Sequence, residues 1–106
     1  MGGEQVFDRK KISRDEAVLV ITGQLAGDTT AQFQREVEEL VDSGCSTITL
    51  DLSGTDSINS SALGKILLFR KKLAEQERTL QIRGCSETLY KTFQMIKFDT
   101  LISIRR

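Results

Sequence analysis

Proline, histidine and tryptophan are absent from the 106 residues, and cysteine occurs only twice. Without histidine there is no Ser-His-Asp or Cys-His nucleophile pair, no imidazole acid–base group and no imidazole metal ligand. An excess of charge of one sign is missing too. Fifteen Lys and Arg balance fifteen Asp and Glu, which argues against the cationic surplus by which general nucleic-acid binders displace phosphate counterions. Phe and Tyr, at 6% together, are too sparse for a base-stacking platform, so Tyr90 and Phe98 read as core or rim. The longest apolar run, Ala17 to Ile21, falls far short of the roughly 20 residues that span a bilayer. Residues 1–5 show neither the charged nor the apolar region of an export signal. The expectation is a cytoplasmic protein with no membrane insertion, no direct nucleic-acid contact, no metal, no cofactor and no enzymatic activity. In that compartment Cys45 and Cys85, outside any CxxC spacing, are expected to be reduced and buried.

What is present fits one domain over residues 1–106, with its core in about 5–104. A chain of this length buries roughly two thirds of its unfolded surface, enough for a core without staples. Gln5 to Ile12 reads as an edge strand with one solvent face. Ala17 to Thr22, β-branched and almost uninterrupted, reads as a strand covered on both faces, joined to the first as an antiparallel hairpin. Asp28 or Thr29 can cap a helix in which Phe33, Val37, Leu40 and Val41 form an apolar stripe. Its outer face is acidic, with Glu36, Glu38, Glu39 and Asp42. Ser46 to Leu52 reads as a strand, and about Ser60 to Glu75 as a helix with two stripes. One holds Leu63, Ile66, Leu67 and Ala74, the other Ala62, Phe69 and Leu73. Arg78 to Arg83 is a further strand. A helix from about Ser86 sets Leu89, Phe93 and Ile96 on one face, and Leu101 to Ile104 reads as a last short strand. This alternation predicts an α/β fold: a mixed, mostly parallel sheet with an N-terminal antiparallel strand and helices packed against it.

Neither GxGxxG nor GxxxxGK[ST] occurs, so the common nucleotide-binding loops are missing. Asp51 ends a strand as a receiver domain's phosphoacceptor would, but Gly23, Gln24 and Leu25 stand where such a domain needs an acidic pair. Asp51 alone reads as a residue capping a turn. The stretch from Asp51 to Gly64 is dense in hydroxyl and carboxamide groups and lies between a buried strand and a buried helix. Two readings stand side by side. Asn59 or Ser60 caps the helix, contributing about 1 kcal/mol, or Ser60 offers a hydroxyl at the positive helix end, where a phosphate is tolerated while adding nearly two negative charges. Lys65, Arg70, Lys71 and Lys72 make a basic patch on the same helix, either a solvated face or a rim that steers an acidic partner.

Leu50-Asp-Leu-Ser-Gly54 with Ile58-Asn-Ser-Ser-Ala-Leu-Gly64 resembles the signature of the STAS domain, in particular the small anti-sigma-factor antagonists. Val20-Ile-Thr-Gly-Gln-Leu25 and Phe93-Gln-Met-Ile-Lys-Phe98 resemble two further segments, so the likeness spans residues 5–104. The resemblance implies a STAS-like fold and a binding module. Its members bind an anti-sigma factor that is a serine kinase of the GHKL type, are phosphorylated on the first serine of the motif, and are restored by a PPM-class serine phosphatase. Carried over, the acceptor is Ser60, and Asn59, Ser60, Ser61, Gly64 and Ala26 fall in the partner-binding segment. Three positions depart from the pattern: Asn59 and Ala26 replace an Asp, and Ala62 replaces a Gly. The two lost carboxylates weaken the negative field at the site. They leave a second reading open, a non-phosphorylated STAS scaffold or a subunit of a signalling or lipid-transport complex. The family's final helix has no counterpart before Arg106.

Overall fold

The computed structural model describes residues 6–25, 29–55 and 57–106. Its order is β1 (Val6–Lys11), β2 (Glu16–Thr22), α1 (Thr29–Asp42), β3 (Thr47–Gly54), α2 (Ser60–Glu75), β4 (Thr79–Arg83) and α3 (Glu87–Met95), then a 3-10 turn over Phe98–Thr100. The strands form one sheet in the order β1-β2-β3-β4. β1 runs antiparallel to β2, with Val6 opposite Thr22 and Lys11 opposite Ala17. β2, β3 and β4 are parallel, in a register that sets Leu19 beside Leu50 and Leu50 beside Ile82. The expected fold class is what the chain adopts.

Sequential parallel strands joined by right-handed crossovers place their connecting helices on the same side of a sheet. Burial agrees. Ala17, Leu19 and Ile21 of β2 and Ile48, Leu50 and Leu52 of β3 share one apolar cluster with Phe33 of α1, Ile66 of α2 and Phe93 of α3. Val18 and Thr49 are equally buried but lie outside that cluster, on the opposite face of the strands. β1 is fastened to α1 by charge: Arg9 pairs with Glu36 at 3.2 Å and Glu39 at 2.8 Å. Part of the acidic outer face of α1 is therefore engaged by β1.

Three sequence expectations need correction. The tail is not a strand of four residues. Lys97 takes a left-handed backbone (φ 60°), the chain turns through Phe98–Thr100, and Phe98 stacks on Phe93 with centroids 5.1 Å apart. Only Ile104 then makes an isolated parallel bridge to Ile82. Ile96 is half exposed rather than on the buried face, because α3 ends at Met95 and Ile96 is its C-cap. Ala74 is exposed, and the buried stripe of α2 is Ala62, Ile66, Phe69 and Leu73, with Leu63 and Leu67 partly buried beside it.

Cys45 and Cys85 are free and buried. Cys45 precedes β3 and Cys85 follows β4, which places them at opposite ends of adjacent parallel strands. Five residues of strand separate those ends by about 16 Å, far beyond the reach of a disulfide. Among the described residues no helix is long and apolar enough to cross a membrane, and no cluster of three or more acidic or thiol side chains is arranged to hold a metal ion.

Candidate partner-binding site

The β2–α1 and β3–α2 connections leave the sheet at the same end, because β2 and β3 are parallel. They are bonded to each other. Leu25 bridges Ile58, its N–H donates to the Ser57 carbonyl at 3.2 Å, and its carbonyl accepts the Asn59 N–H at 2.9 Å. Below this, the Gly23 N–H reaches the Gly54 carbonyl at 2.9 Å. Thr55, fully buried, donates its hydroxyl to the Ile21 carbonyl at 2.9 Å. Leu25 itself is buried in the core. The motif loop thus rests on two strands rather than hanging free.

α2 begins on this platform. Asn59 has an extended backbone (ψ 168°), and its side-chain oxygen accepts the Ala62 N–H at 2.8 Å. Of the two capping candidates the structure therefore selects Asn59. Ser60 is the first helical residue. It is exposed, and its hydroxyl makes no hydrogen bond to a described residue. Ser61 is exposed one position further on, while Ala62 is buried. Gly64 is exposed, and a Cβ built there would meet nothing within 4 Å. Asn59, Ser60, Ser61 and Gly64 thus share the first turn and a half of one helix. Ala26 lies outside the described residues, as does Asp28, one of the two cap candidates for α1. Thr29, the other, is that helix's first residue, and its hydroxyl donates to the Gln24 carbonyl at 3.2 Å.

Chemically, this end of α2 suits added negative charge. The first N–H groups of a helix carry partial positive charge that favours an anion, and the first turn holds no acidic residue to neutralise it. The four cations of α2 (Lys65, Arg70, Lys71 and Lys72) form no salt bridge among the described residues, although Lys72 lies 5.9 Å over the Phe69 ring.

A second polar group lies near the ends of β3 and β4 and includes Asp51 and Ser53 of the Leu50–Gly54 segment. Asp51 accepts hydrogen bonds from the Ser53 N–H at 3.0 Å and the Ser53 hydroxyl at 2.7 Å, and pairs with Arg83 at 3.6 Å. Asp51 does not end its strand as expected: β3 runs on to Gly54, and the carboxylate bonds Ser53 within it. Burial acts to raise its pKa, but the two Ser53 hydrogen bonds and the Arg83 charge outweigh it, and the carboxyl titrates below its ordinary value. Burial, reinforced by the Asp51 charge, pushes the Cys85 thiol up to about 11. Only the Asp-x-Ser spacing at the strand end signalled this cluster. Its partners on β4 come from the sheet register, which no local pattern states.

A strand-borne loop that opens a helix with an exposed serine is the geometry at the end of β3. The comparisons place the chain in a family. The family model described as "Mlab, STAS domain" matches residues 9–103, and the chain belongs to the STAS domain family. STAS domains are binding and regulatory domains rather than typical enzymes. No curated protein sequence matches the chain. Among solved structures, an anti-sigma factor antagonist from Mycobacterium paratuberculosis is similar with a TM-score of 0.85 at 13% identity, over 96% of this chain and 86% of that one. The anti-sigma factor antagonist SpoIIAA in its unphosphorylated form gives 0.79 at 18% identity, over 93% and 87%. A sulfate transporter family protein from Wolinella succinogenes gives 0.76 at 13% identity, over 91% and 80%. At such identities the likeness speaks for the fold.

Proposed function

We propose that this STAS domain is an anti-sigma-factor antagonist in a partner-switching circuit, switched off by phosphorylation of Ser60. The observation that carries the reading is the division of labour at the start of α2. Asn59 supplies the cap, so the Ser60 hydroxyl is exposed, unbonded and held at the positive end of the helix. A phosphate added there is accepted by the helix and changes the charge of the surface formed with Asn59, Ser61 and Gly64. The partner is an anti-sigma factor that is also a GHKL-type serine kinase, and a PPM-class phosphatase reverses the modification. The cytoplasm supplies both. The likeness to SpoIIAA, a structure known in phosphorylated and unphosphorylated forms, supports this reading.

A second reading has a specific observation behind it. The matching family model carries the Mlab description, and a sulfate transporter family structure shares the fold. In that reading the chain is a constitutive subunit of a lipid-transport or other complex, and Ser60 is an unmodified contact residue.

Intact mass before and after incubation with ATP and GHKL kinases encoded near the gene separates the two. One phosphate mapped to Ser60 is the expected result. A main acceptor at Ser53, Ser57 or Ser61, or no modification by any of these kinases, would overturn the switch.

A further inference from the structure

β1 is an edge strand, bonded to β2 on one side and to no described strand on the other. Which of its backbone groups face outward follows from the hairpin. The Ile12 N–H donates to the Glu16 carbonyl at 2.9 Å, in the same register that sets Lys10 opposite Val18 and Asp8 opposite Val20. Antiparallel ladders alternate, so Asp8 and Lys10 direct their N–H and C=O at β2. Those of Phe7, Arg9 and Lys11 point away from the sheet. The far side of β2 agrees, since the Ile21 carbonyl is taken by the Thr55 hydroxyl and the Gly23 N–H by Gly54. No hydrogen bond from a described residue reaches the outward groups of β1.

The side chains divide in the same rhythm. Phe7 and Arg9 lie on the helix side, where Phe7 meets Phe33 with ring centroids 6.4 Å apart and Arg9 pairs with Glu36 and Glu39. Asp8 and Lys10 lie on the helix-free face. Both are exposed, and neither forms an ion pair among the described residues. Lys11 is exposed as well. Charged side chains on an edge ordinarily guard it against stray pairing. The order of charges on β1 refuses most partners and most registers, but not all.

We infer that β1 pairs with β1 of a second copy of this chain, antiparallel and centred on Arg9, joining the two sheets edge to edge. A two-fold axis normal to the sheet keeps the helix sides of both copies in common, so odd positions meet odd and even meet even. Centred on Arg9, the outward groups of Phe7, Arg9 and Lys11 all find partners. Asp8 then faces the partner's Lys10, and Lys10 the partner's Asp8. Both pairs fall at positions without a backbone bond, where opposed side chains come closest. Centring the pair on Asp8 would set carboxylate against carboxylate, and centring it on Lys10 would set ammonium against ammonium. The Arg9-centred register brings two guanidinium groups together, but each is already met by Glu36 and Glu39 of its own chain. Charge complementarity thus selects a second copy as occupant, in one register. The seam lies at the β1 edge, whereas Ser60 opens α2, which packs against β4, so the inference does not rest on the reading of Ser60.

Self-association is read by sedimentation equilibrium and by amide hydrogen exchange, from micromolar to millimolar protein. The expected result is a dimer whose formation slows exchange at Phe7, Arg9 and Lys11, while Asp8 and Lys10 are protected at every concentration. Asp8→Lys and Lys10→Asp, made singly, each weaken the dimer by about tenfold or more, because both cross-strand pairs become repulsive. Mixing the two single variants restores association, as does combining both substitutions in one chain. The melting temperature of dilute protein stays unchanged in all of them. A chain that remains monomeric at millimolar concentration overturns the proposal and leaves the edge to an extended segment of another protein. A dimer that leaves the amides of Phe7, Arg9 and Lys11 unprotected overturns it too, as does one that both single variants form as readily as the parent.

Discussion

The Asn59 side chain accepts the Ala62 N–H at 2.8 Å, so the cap of α2 belongs to the residue before the proposed phosphoacceptor. Capping and switching are therefore separable by substitution. Asn59→Ala should cost about 1 kcal/mol of stability, a drop of about 4–8 °C in melting temperature for a domain of this size. Ser60→Ala should cost no more than a few tenths, within the range of surface substitutions. Thermal melts of both variants check the contrast, and equal losses would return the capping role to Ser60.

Binding should separate the same position in another way. Ser60→Asp keeps the fold, because an acidic residue suits the first turn of a helix. It should weaken the proposed complex with a kinase partner by about 2–5 kcal/mol if the site is buried against that partner, where an uncompensated charge is costly. Ser60→Ala should bind and resist inactivation by ATP. Calorimetry on both variants is the measurement, and equal affinities would leave Ser60 without a switching role.

Two glycines should respond in opposite directions. Gly84 has φ +74°, and a Cβ there would lie 2.8 Å from the Asp51 carboxylate oxygen. Gly84→Ala should cost about 2 kcal/mol or more, from backbone strain and the displaced carboxylate. Gly64 sits inside α2 with open space beside it, so Gly64→Ala should stabilise by about 0.5–1 kcal/mol. Chemical denaturation of the two variants gives both signs. If Gly64 belongs to the contact surface, its variant should bind the partner more weakly while melting higher.

The fold should be indifferent to reductant, since the two thiols stand at opposite ends of the sheet. At pH 8 neither thiol should react with iodoacetamide in the native protein. Cys85 is slow twice over, buried and with its thiol pushed up to about 11. Both should react after unfolding. A double Cys→Ser variant should lose roughly 1–3 kcal/mol if the new hydroxyls find no partner. Mass spectrometry of alkylated protein checks reactivity, and a melting temperature that falls on adding reductant would contradict the geometry.

Asp51 should write itself into the acid limb of the stability curve. Its folded-state pKa lies below the ordinary value of 3.8, so the unfolded chain takes up its proton first as the pH falls. The stabilisation is fully present above the unfolded value and is lost as the pH drops through the folded one. Asp51→Ala should cost about 1 kcal/mol near neutral pH, and the gap from the parent protein should close below about pH 4. A gap independent of pH would assign the loss to packing rather than to charge.

Much of this was legible from local pattern. The hairpin, the three helices and the start of α2 at Ser60 follow from periodicity and capping chemistry, which act over a few residues. The course of the tail does not. Its short apolar run, Leu101-Ile-Ser-Ile104, reads as strand, but the left-handed turn at Lys97 is set by the burial of Phe98 against Phe93, a tertiary contact. Ile96 fits the stripe of α3 by spacing and is exposed because that helix stops one residue short. At the site, the serine motif was readable as a string, whereas the choice of Asn59 over Ser60 as cap needed backbone geometry. The ties from Leu25 to Ile58 and from Thr55 to Ile21 join segments more than thirty residues apart, and no local rule announces them.

The bonds from Leu25 to Ser57 and Asn59 have a mechanical consequence. The two loops that border the motif serine cannot be displaced independently, since moving either one drags on the carbonyl that holds the Asn59 amide, and with it the first turn of α2. A protein that grips only the β2–α1 side therefore also restrains the serine, and a charge placed on the serine is felt as a strain across both loops. Where Leu25 is bonded to Ser57 and Asn59, the two sides move as one plate rather than as two adjustable fingers.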